Sequence, residues 1–235
     1  MTEHTYKQFD ADLEELRSGV LAMGGLVEQQ FELAIAALED AGLQDSEDHV
    51  SVNEEQVNRL QVAIDQQCSQ IIARRQPTAV DLRLILAVTK VVNDLERIGD
   101  EVKKIARKAA GTQGDERLTR VRRFQVARTA RSASRMTRTA LDAFARLDLE
   151  AAAEVIDRDE EIDAEFHAVL RQLVSYMMED PRTIGPAVEM VFIAKSIERI
   201  GDHAKNVAEA VVQGVKGKDV RHASAAEVRA ELSGP

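Results

Sequence analysis

Two stretches of the chain place acid on one helical face at a spacing that ligand chemistry can use. The pentapeptide ERIGD runs from Glu96 to Asp100 and again from Glu198 to Asp202. With Leu95 at the centre of the buried stripe and about 100° of turn per residue, Glu96 lies about 100° away and Asp100 about 140°. The two carboxylates therefore share a face, one turn apart, mostly outside the bundle. Like charges at that spacing repel by roughly 0.2–0.5 kcal/mol on an isolated helix. Accepting the repulsion twice in one register calls for positive charge nearby, and three sources are open. Arg97, Lys103 or an Arg of a neighbouring helix forms a solvated ion pair; a metal ion sits between the acids; or a basic partner docks there.

A further acid pair strengthens the metal reading. Asp159 and Asp163 are also four residues apart, on a helix whose apolar seam is Ile162, Phe166, Val169 and Leu173. If that helix packs antiparallel to the one carrying Glu198 and Asp202, four carboxylates converge on one groove. Hard oxygen donors of this kind suit iron, zinc, manganese or magnesium. The matching positions in the first half are Glu54 and Asn58, so a neutral amide replaces one acid there. His203 reads as a structural histidine at the edge of the seam. No Glu stands three residues before any histidine, which argues against a ferritin-like di-iron centre. No Gly-rich phosphate loop and no nucleophile-base pairing is visible, so no catalytic residue is assigned.

Long helices must carry these acids. Leu84, Val88, Val91, Leu95, Ile98, Val102 and Ile105 step by four and three, and Met190, Ile193, Ile197, Ile200, Ala204, Val207 and Val211 repeat the rhythm. Residues 90–106 and 192–208 share 7 identities in 17 positions, and "NEEQVN" at 53–58 answers "RDEEID" at 158–163, so the chain is internally duplicated. Pro77 and Pro181 mark helix stops, with Asp81 and Thr183 set to begin or cap the next helix. Two more helical stretches span roughly 13–41 and 118–147. The reading is all-α: two tandem three-helix bundles, six long helices in total, over residues 1–110 and 115–215. The break falls in "AAGTQGDER", and a loosely held tail, 216–235, contains a short helix in "AAEVRAEL". Gly99 and Gly201 lie beside the seam, where a missing side chain admits a neighbouring helix.

Charge and cysteine narrow the class further. The single Cys68 excludes an internal disulfide and reads as a buried thiol. The N-terminus lacks the basic and apolar segments of a signal peptide, and no run is long enough to span a membrane, which predicts a cytoplasmic protein. Net charge is −10, yet 103–138 holds twelve Lys or Arg against Asp115 and Glu116. Arg128, Arg131, Arg135 and Arg138 form one stripe, read as solvated or as pairing with acidic helices of this chain or a partner, rather than with DNA.

The combination of "AMGGLVEQQ" (22–30), "IIARRQPTAVDLRLI" (71–85), "DLERIGD" (94–100), "RQLVSYMMED" (171–180) and "SIERIGD" (196–202) resembles the PhoU family over nearly the whole chain. The resemblance implies a non-enzymatic negative regulator of phosphate uptake and of the phosphate-starvation response. Such a protein links a phosphate ABC transporter, on its ATPase side, to a sensor histidine kinase. It further implies a homodimer, membrane contact only through those partners, no direct nucleic-acid binding, and surface carboxylates that hold a multinuclear metal cluster. Carried onto this chain, the metal residues are Glu96, Asp100, Glu198 and Asp202, with Asp159, Asp163, Glu54 and Asn58 opposite. Two rivals from other classes are a metal-dependent phosphate-ester hydrolase and a nucleic-acid-binding regulator using the Arg-rich fourth helix.

Overall fold

The computed structural model describes residues 2–39, 46–111, 120–221, 223 and 225–233. Its helices are α1 (Thr2–Glu39), α2 (Ser46–Arg75), α3 (Ala79–Gly111), α4 (Arg120–Arg146), α5 (Leu149–Glu179), α6 (Ile184–Lys216) and α7 (Ala225–Ser233), with a 3-10 turn at Pro181–Thr183. No strand occurs among the described residues. The fold class is therefore the expected one, all-α with six long helices in two duplicated sets of three.

Local chemistry explains where helices stop. Asp148 caps α5 by accepting from the backbone N–H of Glu150 (3.0 Å) and Ala151 (3.1 Å). Asp180 takes the N–H of Arg182 and starts the 3-10 turn, and Gly217, at φ 72°, closes α6 by donating to Gln213. Both prolines come after helix ends as expected, since α2 stops at Arg75 and α5 at Glu179. Asp81 and Thr183 both stand at the start of the next helix as expected, Thr183 in the N-cap position of α6. Asp81 lies inside the first turn of α3, and the Thr183 hydroxyl turns back to the carbonyls of Tyr176 and Asp180, giving α6 no side-chain cap. The first helix begins at Thr2, well before residue 13, and most of the "AAGTQGDER" break lies outside the described residues.

Apart from the half-buried Leu84, both seams are buried: every seam residue from Val88 to Ile105 and from Met190 to Val211 belongs to the core. Within each half the neighbours run antiparallel. Arg75 of α2 reaches Asp12 of α1, Gln61 of α2 reaches Asn93 of α3, and Lys205 of α6 reaches Asp159 of α5. The halves then share one continuous core, because α3 lies antiparallel on α6 and α1 lies on α4. Four helices (α1, α3, α4, α6) thus form the interior, with α2 flanking α1 and α3, and α5 flanking α4 and α6. Small residues allow the close approaches. A Cβ at Gly24 would stand 2.7 Å from the Leu141 side chain, and one at Gly201 would stand 3.1 Å from Ile162. The short helix expected in the tail is α7, which lies on α5 with Val228 buried and with Arg229 paired to Asp157.

Candidate functional site

The groove between α5 and α6 gathers all four acids of the second half. Asp159 is buried and accepts from Lys205 Nζ at 2.7 Å. Glu198 accepts from Lys195 at 2.6 Å through one oxygen, while its Oε2 is buried with no hydrogen-bond partner. Asp202 has its carboxyl pushed up to about 6, chiefly by lost solvation and then by Glu198, Asp159 and Asp163. Asp163 is raised by burial first and then by Asp159 and Glu198. Mutual effects of this kind act between charges that share one groove, since screening silences longer distances.

The first half repeats the plan with less acid. Glu54 is buried and fully used: Lys103 donates to one oxygen at 2.6 Å and the Asn58 amide to the other at 2.7 Å. Asn58 Oδ1 is left buried without a partner. Burial, then Asp100 and, more weakly, Glu54 raise the Glu96 carboxyl, with Arg97 pulling the other way. Lys103 and Lys205 occupy matching places, each bonded to the acid of the flanking helix rather than to its own helix's pair. The ERIGD face is also less open than its helical angle suggested. Glu96, Asp100 and Glu198 are half-buried because α2 and α5 cover that side, and only Asp202 is exposed.

The donor chemistry fits a hard divalent cation. A carboxylate oxygen buried without a partner and acids held above their ordinary range both signal missing positive charge. The lysines hold part of that role, and among the described residues no three acid, His or Cys groups are already drawn around one point in the manner of ligands. A cation would therefore have to recruit Glu198 Oε2 first and draw Asp163 and Asp202, both exposed, inward.

Between the two acid groups runs a seam of polar contacts that periodicity alone did not reveal. Glu101 of α3, almost fully buried, is bonded by Arg199 at 2.7 Å and Lys104 at 2.9 Å. His203 of α6 meets Asp94 of α3 at 2.9 Å, as a structural histidine, and Asn206 donates to the same oxygen. Arg199 and His203 flank the second ERIGD acids, so α3 and α6 are stitched together beside the site. A charged residue next to the apolar seam on each of two duplicated helices is the signal that could have found these pairs. Elsewhere two arginines of the stripe pair within the chain, Arg131 with Glu39 at 2.6 Å and Arg138 with Glu28 at 3.1 Å, while Arg135 donates to Ser132 and Arg128 is exposed. Cys68 is buried, and burial pushes its thiol up.

The PhoU domain family matches the chain twice, over residues 20–109 and 126–211. The phosphate-specific transport system accessory protein PhoU homolog of Pseudomonas putida is 46% identical, covering all of this chain and 91% of that protein. The corresponding accessory protein PhoU of Escherichia coli is 41% identical, covering all of this chain and 96% of its own length. Among solved structures, PhoU from Pseudomonas aeruginosa superimposes with a TM-score of 0.83 at 44% identity, over 89% of this chain and all of that one. The phosphate transport system regulatory protein PhoU from Streptococcus pneumoniae gives 0.82 at 25% identity, over 90% and 99%.

Proposed function

The chain belongs to the PhoU family, and from that premise we propose that it is a negative regulator of phosphate uptake and of the phosphate-starvation response. Its relatives are named as accessory and regulatory proteins of phosphate transport, not as enzymes, which supports a role in regulating that transport for this chain. The observation that carries the reading is the full-length likeness to those accessory proteins, which spans both duplicated halves and both ERIGD sites. The finer proposal is that it links the ATPase side of the phosphate ABC transporter to a sensor histidine kinase, working in the cytoplasm as a homodimer. Among the described residues no helix is long and apolar enough to cross a membrane. Deleting the gene and reading a phosphate-starvation reporter in high phosphate tests the proposal. Constitutive expression is expected; normal repression would remove it.

The acid groups are part of the proposal. Asp159, Asp163, Glu198 and Asp202 would hold iron, zinc, manganese or magnesium in a multinuclear cluster, with Glu96, Asp100, Glu54 and Asn58 forming the lesser site. When bound, the metal supplies positive charge that fixes α5 against α6. The residues do the remaining work. Glu198 would offer its unpartnered oxygen, Asp202 would bind as the carboxylate, shedding its proton only in solutions near or below pH 6, and Lys195 and Lys205 would release the oxygens they hold. The weaker acid content of the first half predicts that the second fills first. Elemental analysis of wild type against Glu198→Ala/Asp202→Ala reads this directly, and equal metal in the two would sink it.

A further inference from the structure

The antiparallel α3–α6 contact opens on one side into a polar cavity of about 280 Å³, close to the smallest ligand pockets of about 300 Å³. Lys90 and Arg97 come from α3, Glu209 and Gln213 from α6, and Asp219 and Arg221 close it from the segment after α6. That segment lies beyond the residues matched by the family.

Most of the charge around this cavity is already committed. Asp94 is taken by His203 and Asn206, Asp219 by a two-pronged pair with Arg221, and the third acid, Glu209, is disfavoured as a charge because burial raises its carboxyl to about 7. Lys90 donates only to the neutral amide of Gln213, and Arg97 makes no hydrogen bond or ion pair among the described residues. Two cations, two helical turns apart on one face, are thus left facing the same space, about 10 Å apart along the axis.

Internal duplication supplies a control within the molecule. The positions that answer Lys90, Asn93 and Arg97 are Phe192, Lys195 and Arg199. There the charges are spent: Arg199 bonds Glu101, Lys195 bonds Glu198, and Lys108 both bonds Glu189 and lies over the Phe192 ring. Arg97 lacks such a partner because the residue answering Glu101 is His203, which has turned to Asp94. The repeat has diverged so that one flank is filled by a side chain and ion pairs, and the other is left hollow, with Lys90 and Arg97 beside it unpaired by any acid.

We propose that this cavity is a binding site for a small polyvalent oxyanion, held by Arg97 through its planar fork and by Lys90 as a point charge, beside the Asp219–Arg221 pair. The inference does not rest on the regulatory or metal readings. Calorimetric titration of chelator-treated protein at fixed ionic strength, with inorganic phosphate, pyrophosphate and citrate, tests it. At least one probe is expected to bind saturably at one site per chain. Preference for pyrophosphate identifies a phosphoanhydride, and preference for citrate a polycarboxylate. Arg97→Gln and Lys90→Gln should each weaken that probe about tenfold or more, as loss of a charged hydrogen bond does. Arg128→Gln, an exposed arginine of α4, should change nothing. Absence of saturable binding by all three probes overturns the proposal, as does equal weakening in the Arg128→Gln control. Arg97 and Lys90 are exposed, so their replacement leaves the core intact.

Discussion

Replacing Glu209 with Gln should make the protein more stable at alkaline pH and leave it unchanged in acid. Glu209 is 7% exposed, and burial pushes its carboxyl from 4.5 to about 7. Lys205 and Arg221 pull it down while Asp159 and Asp219 push it up, and burial exceeds them all. A raised acid pKa means that the charged form is disfavoured in the folded state. Between pH 4.5 and about 7 the native protein holds a proton that the unfolded chain has released, so stability falls as pH rises through that window. Above about 7 the full penalty is present. At 1.36 kcal/mol per pH unit the gap gives a ceiling of about 3 kcal/mol, and solvent screening on the open side of the carboxylate reduces it to about 1–2 kcal/mol. For a chain of this length that is a gain of about 3–6 °C in Tm at pH 8, and under about 1 °C at pH 4.5. Calorimetry of both proteins across that range is the assay. A Tm difference that does not change with pH, or a loss of stability at pH 8, would refute the reasoning.

Other perturbations act on contacts of the same kind. Arg199→Ala leaves buried Glu101 with Lys104 alone and should cost about 2 kcal/mol in urea unfolding, part of which returns in Arg199→Ala/Glu101→Gln. Asp148→Ala removes the α5 cap and should cost about 1 kcal/mol by the same measurement. Gly24→Leu drives a side chain into Leu141 between α1 and α4, so a loss of about 1–3 kcal/mol is expected in thermal melts. Asp202→Asn should stabilise metal-free protein at neutral pH by under about 1 kcal/mol, because an exposed group is well screened. Divalent cation should raise the melting point of wild type more than that of this variant.

The parts of the fold governed by local pattern were legible in the residues. The step of three and four from Val88 to Ile105 fixes a buried stripe whatever packs on it, and its recurrence from Met190 to Val211 reveals the duplication. The convergence of Asp159 and Asp163 with Glu198 and Asp202 was legible because short turns force antiparallel neighbours. What periodicity could not supply was the partner of each flank. The angle of Glu96 and Asp100 from the seam is correct, yet α2 half-buries that face, because a three-helix set covers two sides of each member. Lys103 looked available to the acids of its own helix and instead bonds across to α2, as Lys205 does to α5. The Arg199–Glu101 and His203–Asp94 contacts depend on how one half meets the other, which no window within a single helix records.

The antiparallel pairing of α3 with α6 has an evolutionary consequence. Two copies of a half-chain related by a two-fold axis would join through the same helix laid against itself in opposite directions. The fold therefore has the form of an ancestral dimer whose subunits became one polypeptide. Symmetry obliges every substitution in such a dimer to appear on both sides, and fusion lifts that obligation. Asn58 could then replace one acid while Asp163 remained, and Lys90 could diverge from Phe192 without either change being imposed on the other half.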